Sequence, residues 1–200
     1  MKRKIFILVG AHTGKESVQF NEINPGFKHY IIEPSSELIS IIEKKCHQVL
    51  PNYEIIEKAA STKDGTTTFY KGKPNTHYGS QSGTLRADKE TQKHPTGETE
   101  VVSCFDFPKW IKQFKDDFVY VHMDCEGAEY DILPLILKDS PKDYIDVIAV
   151  EFHSHKLKDV SEEEHDKLYN NLTETFGNRF KRFHSHCYGK DTSAFFRLKF

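Results

Sequence analysis

Four cysteines are few for a chain of 200 residues, and none forms a C-x-x-C pair. Cys46, Cys104, Cys125 and Cys187 are spaced wrongly for a zinc finger, and a chain of this size needs no disulfide framework. Reduced thiols in a cytoplasmic protein are the expectation. Also missing is any apolar run near the roughly 20 residues needed to span a bilayer. The opening Met1-Lys2-Arg3-Lys4 is basic like a signal peptide, but the apolar run behind it covers residues 5–9 alone before a glycine-bounded loop. That run reads as the first strand of a fold. Charge of one sign is lacking too. With 28 basic and 30 acidic residues the net charge is -2, so no global field draws nucleic acid or membrane. Lysines and arginines alternate with acids instead of gathering in a patch. Repeats and low-complexity segments are absent. What remains is the expectation of a single domain over residues 1–200.

Strand and helix signals alternate through that domain. Ile5-Phe6-Ile7-Leu8-Val9 is continuously apolar, as in a strand covered on both faces. A loop and a helix to about Asn21 follow, then a strand at Tyr30-Ile31-Ile32. Ser35 or Ser36 is positioned to cap a helix to about Gln48. Residues 53–60 read as a third strand, and Lys63-Asp64-Gly65 as a turn leading to a strand through Tyr70. From residue 71 to about 100 the periodicity stops, and a stretch this long is expected to be a lid or binding loop, with plain disorder as the alternative. Strands at residues 101–105, 118–123 and 144–153 then alternate with helices after Asp106, to about Leu137, and over residues 161–176. Ser161 with Glu164 forms a capping box. Residues 179–200 read as two strands joined around Tyr188-Gly189. The alternation predicts a mainly parallel sheet with helices on both faces and a C-terminal hairpin.

The strand ending at Met123 runs into Asp124-Cys125-Glu126-Gly127-Ala128-Glu129-Tyr130. Ligands of open α/β sheets sit beyond the carboxyl ends of strands. Three acids there exceed what packing explains, because a buried carboxylate needs a partner, a proton or a ligand. A helix start, with Asp124 as N-cap and Glu126 in the first turn, would account for part of the cluster. Cys125 is expected to pack, since carboxylate neighbours disfavour its thiolate.

Gly10-Ala11-His12-Thr13-Gly14 follows the first strand, where glycines permit close ligand approach to the backbone. The spacing matches neither the dinucleotide fingerprint G-x-G-x-x-G nor a phosphate loop. Glu33, at the tip of the second strand and followed by Pro34, is placed to accept hydrogen bonds from ribose hydroxyls. A surface ion pair is its structural alternative.

Together these segments carry a resemblance. Asp124 to Glu129 resembles the D-x-E-G-A-E signature of the FkbM family of S-adenosylmethionine-dependent methyltransferases. In the same order, the 10–14 loop with Ser17 resembles the family's G-A-N-x-G-x-x-S, and Ile32-Glu33-Pro34 its F-E-P. Ala60-Ser61, Gly65 and Phe69-Tyr70 resemble its A-[LV]-S segment, residues 79–85 its serine-rich loop, and Glu151-Phe152-His153 its E-x-H. Leu8-Val9 stands where the family usually has an acid, and His12 where it has asparagine. The resemblance implies a Rossmann-like class I methyltransferase fold, whose seven-stranded sheet the strand and helix order also suits. It implies S-adenosylmethionine as cofactor, held by Gly10, Ala11, His12, Gly14, Glu33, Pro34, Ala60, Asp124 and Glu126. It further implies oxygen methylation of a small-molecule or sugar-like acceptor.

Methyl transfer to a hydroxyl needs proximity and somewhere for the proton to go. Asp124 is the first candidate base, His153 the second and His155 the third. His122, inside a strand, reads as a core residue. Asp124, Glu126, Glu151, His153 and His155 could instead hold magnesium or manganese, although no metal is expected. Glu129 is expected to cap or pair structurally. His184-Ser185-His186 reads as one strand face. A catalytically silent nucleoside-binding domain and a nicotinamide-dependent oxidoreductase are the alternatives. No pattern in the sequence names the acceptor or an oligomeric state.

Overall fold

The computed structural model describes residues 2–72, 74–75, 79–80, 83–89, 98–183, 196 and 198. The chain starts with β1 (Lys4–Val9), α1 (Lys15–Ile23), β2 (Lys28–Ile32), α2 (Ser36–His47) and β3 (Tyr53–Ile56). Next come β4 (Ala59–Ser61), β5 (Gly65–Tyr70), β6 (Pro74–Asn75), β7 (Gly79–Ser80) and β8 (Thr99–Asp106). The remainder holds α3 (Phe107–Trp110), β9 (Phe118–Met123), α4 (Glu129–Leu137), β10 (Val147–Glu151), α5 (Glu162–Phe176) and β11 (Phe180–Phe183).

Six strands form the main sheet in the order β11-β10-β9-β1-β2-β3, and every pairing among them is parallel. Side chains along a strand alternate between faces, and β1 shows why its run is unbroken. Ile5, Ile7 and Val9 pack under α3, α4 and α5 with Ile132, Ile136 and Leu172. Phe6 and Leu8 face α1 and α2, with Phe20, Leu38 and Ile42. On this second face Phe6 stacks on Phe20 at 3.9 Å, and His29 and His122 are walled in by aromatic rings.

The strand order reverses between β1 and β9. From β1 the chain builds outward to β2 and β3, and later to β9, β10 and β11 on the other side. The loops leaving the carboxyl ends of β1 and β9 therefore flank one crevice, the usual ligand position in such sheets.

Several expectations are corrected. The main sheet has six strands among the described residues, not seven. The first strand of the expected C-terminal hairpin is β11, parallel to β10. In the span expected for its return strand Phe196 and Leu198 are described and neither lies in a strand, and His184-Ser185-His186 lie outside the described residues. The single strand expected over residues 53–60 is two strands in two sheets, since β4 leaves the main sheet to pair in parallel with β8. The partner of β5 is likewise β8, antiparallel, giving a small β4-β8-β5 sheet. The reason is topological: the strand both need is about 40 residues downstream. Of the stretch expected to form a lid, the described residues include β6, paired with β7, and residues 83–89, whose contacts are given below; residues 73, 76–78, 81–82 and 90–97 lie outside the described residues. Among the described residues no helix is long and apolar enough to cross a membrane.

Candidate functional site

The loop after β1 is held by its neighbours before any ligand is considered. Gly10 and Ala11 N–H groups both donate to the Ile32 carbonyl at 3.0 Å, and the Asp124 N–H donates to the Val9 carbonyl at 2.9 Å. The three strand ends are thus tied at one point. Gly10 has φ 78°, and a Cβ there would meet the Asp124 carbonyl oxygen at 1.8 Å, so this position admits glycine alone. His12 also lies in the left-handed region, at φ 48°. Asparagine, aspartate and histidine tolerate that region best among residues with side chains, which accounts for histidine where the resembling family has asparagine. Its Nε2 is buried with no hydrogen-bond partner.

Glu33 is buried at the tip of β2, where its Oε2 accepts from the His12 N–H at 2.8 Å and its Oε1 from the Ser35 N–H at 3.0 Å. Burial pushes its carboxyl up to about 7, against the pull of those two bonds. Among the described residues no lysine pairs with it, contrary to the ion-pair alternative. Each oxygen has capacity to accept a second hydrogen bond. Ser35 precedes α2 but makes no side-chain capping bond.

The acid motif does not begin a helix at Asp124. Glu126 and Gly127 take positive φ, 53° and 115°, and α4 starts at Glu129 with Ala128 as its N-cap. Asp124 and Glu126 therefore sit on a tight turn beyond the sheet. The pattern missed this because a left-handed glutamate leaves no mark in periodicity.

Three side chains converge there. His153 Nε2 stands 3.6 Å from both Asp124 Oδ1 and Glu126 Oε2, and the donor atoms of all three residues fall within 4.8 Å of one another. His153 is 1 % exposed and Glu129 is fully buried. Glu129 was expected to cap or pair structurally, and its partner is His153 itself. Its Oε1 accepts from the His153 N–H at 2.9 Å and from Nδ1 at 3.0 Å, and its Oε2 accepts from the Gly127 N–H at 2.8 Å.

Two lysines complete the cluster. Lys89 and Lys156 both donate to Glu126 Oε2, at 2.6 and 3.0 Å. Lys89 arrives on a strap in which Thr84 donates to the Glu126 carbonyl and Arg86 bridges Asp88 and Asp131. The Lys89 side chain is fully buried. It was not among the expected site residues, because it lies in a polar stretch with no pattern to single it out.

The charges respond to one another. Burial opposes the cation on His153, yet the carboxylates of Glu129, Asp124 and Glu126 outweigh it and raise the ring to about 9. Burial would raise Glu126, but His153, Lys89 and Lys156 bring it down to about 2. Asp124 moves the other way. Burial, with Glu151, Glu126 and Glu16 adding, lifts it well above the ordinary carboxylate range against the pull of His153. Its carboxylate remains 26 % exposed, more than that of Glu126 at 18 %, so it is the acid of the turn that solvent or a ligand reaches most readily. The Cys125 thiol is pushed well up by burial and by Glu129 and Asp124, consistent with a packing role.

Asp124, Glu126 and His153 are spaced as a divalent cation would accept. Glu126 Oε2 already takes two ammonium groups, however, and His153 carries its own charge, so the negative charge of the turn is met from within the chain. Glu151 and His155, also weighed as ligands, do not join that group. Ala60 stands in β4, lining a cleft of about 430 Å³ with Ser61, Thr67, Tyr130 and Asp131.

The family model described as the methyltransferase FkbM domain matches residues 9–180. No curated protein and no solved structure gives a match.

Proposed function

Because the chain belongs to the FkbM methyltransferase family, we propose that it transfers a methyl group from S-adenosylmethionine to a hydroxyl of a small-molecule or sugar-like acceptor. The observation that supports this most is the meeting of the glycine loop and the acid turn at the reversal point of the sheet. One end of that crevice offers Glu33, the 10–14 backbone and the unpartnered Nε2 of His12, a donor set suited to ribose hydroxyls and an amino-acid terminus. Gly10 lets the two loops meet with no side chain between them.

When bound, S-adenosylmethionine supplies an electrophilic methyl on a sulfonium. The chain's own part is to orient the acceptor and take its proton. Asp124 Oδ is the proton acceptor. Burial raises its carboxyl above the ordinary carboxylate range, which makes it a stronger base than an exposed acid, and it is the most accessible acid of the turn. His153 does not serve as the base, because its carboxylate neighbours keep it protonated. It holds the counter-charge to Asp124. Glu126, fixed by Lys89 and Lys156, walls the site and presents acceptor lone pairs to ligand hydroxyls.

Purified protein incubated with methyl-labelled S-adenosylmethionine and a panel of glycosides should form labelled ethers. Calorimetry should show binding of S-adenosylhomocysteine and none of NAD. Preferential NAD binding would overturn the cofactor assignment, and cofactor binding without transfer to any hydroxyl acceptor would overturn the reaction.

A further inference from the structure

Glu129 is the least accessible acid of the motif, and its described hydrogen bonds run to no lysine or arginine. Its bonds to Gly127 and His153, with the Cys125 thiol at 3.5 Å, account for both oxygens. A bond to Gly127 alone would shape the turn. The additional pair of bonds to the backbone and ring of one histidine does something else, because it fixes that ring's rotation. An ionised carboxylate only accepts, so Nδ1 carries hydrogen. The other ring nitrogen is left facing Asp124 and Glu126.

We propose that Glu129 is a positioning residue: it holds His153 with Nδ1–H toward itself and Nε2–H toward Asp124, and through that imidazolium sets the charge on Asp124. This rests on the assignment of Asp124 as the proton acceptor and deepens it.

The charged groups around His153 and Asp124 come from several elements. Asp124 and Glu126 on the turn after β9, Glu129 on α4 and His155 on the turn after β10 act on His153. Glu151 on β10 and Glu16 on α1 act on Asp124, Cys125 stands beside Asp124 and Glu129, and Lys89 on the strap and Lys156 act on Glu126. Among the acids, Glu129 does most to keep the ring protonated. His153 in turn is what draws Asp124 downward against burial and its acidic neighbours. Removing the charge of Glu129 therefore frees the His153 proton at lower pH, and Asp124, deprived of its counter-charge, holds its own proton to higher pH.

Ring NMR of the whole protein tests this, with His153→Gln identifying the signal. In the unaltered protein His153 should stay protonated through neutral pH and titrate at about 9. In Glu129→Gln its proton affinity should fall at least tenfold. In the transfer assay the acid limb of kcat/KM should move to higher pH, by at least a tenfold change in proton concentration. KM for S-adenosylmethionine should change less than twofold. A merely structural Glu129 would lower activity evenly across pH and leave the limb in place. A wild-type His153 titrating near an ordinary imidazole, or a midpoint unmoved in Glu129→Gln, overturns the proposal. If the variant fails to fold, the wild-type titration decides alone. The ring titration needs no turnover. Absent methyl transfer with the expected titration would sink the role of Asp124 and leave the Glu129–His153 pairing, whereas the reverse would sink the pairing alone.

Discussion

His122 and His153 are equally enclosed, at 2 % and 1 % exposed, and respond to burial in opposite ways. His122 lies in β9, within the aromatic layer under α1, stacked on Phe183 at 4.2 Å. Burial alone drives it down to about 3. His29, in the same layer, goes to about 4 for the same reason. His153 stands just past the carboxyl end of β10 and is raised to about 9 by three carboxylates. Enclosure is common to both regions; what differs is whether the fold supplies opposite charge. The sheet interior makes neutral histidines that pack, and its carboxyl edge makes a charged one that can act.

The largest effect that could break this contrast belongs to Asp124. Asp124→Asn should lower turnover about a hundredfold or more, the range of a lost general base, with cofactor affinity nearly intact by calorimetry. Turnover close to normal would move the chemistry elsewhere. At the other end of the crevice, Glu33→Ala should weaken S-adenosylmethionine. Charged hydrogen bonds are worth about 1.5–3 kcal/mol each, and unchanged affinity would relocate the ribose contact.

The interior should answer in stability instead of rate. His29 and His122 have folded values below the unfolded one, so the unfolded chain binds their protons first as pH falls. Stability should decline from the ordinary imidazole range downward, by about 1.4 kcal/mol per pH unit for each group, until each folded value is passed. His153 has the opposite sign: its contribution is complete below the ordinary imidazole range and is lost as pH rises toward about 9. His122→Phe should flatten the acid decline in denaturant midpoints while leaving turnover within twofold. An unaltered acid slope would show that His122 is not held neutral. The smallest expected effect is that of chelation. Because Lys89, Lys156 and His153 already meet the acids, removing divalent ions should leave the rate unchanged, and a collapse would replace this ion network with a metal.

Much of the scaffold was legible. β1, β2, β9 and β10 are apolar runs whose residues meet core on both faces, and the box of Ser161 and Glu164 forms both of its bonds at the start of α5. The departure of β4 from the main sheet was not legible, because residues 53–60 read as continuous strand whichever partner they have. The motif acids were found by position, and their division of labour was not. Which carboxylate takes a histidine, which takes lysines and which stays reachable depends on the positive φ of Glu126 and on Lys89, which the chain brings back from a patternless stretch.

The contact between Gly10 and the Asp124 carbonyl has a consequence for anyone altering this protein. A methyl group at position 10 would strike the backbone of the acid turn and nothing soft. The two loops are therefore a single mechanical joint, and a side chain introduced on one will be felt as displacement of the other. Substitutions at Gly10 and at Asp124 should combine non-additively, as neighbours in direct contact do. Directed evolution toward new acceptors would do well to randomise residues 10–14 and 124–127 in the same library, since a change tolerated in one loop is judged by the shape of the other.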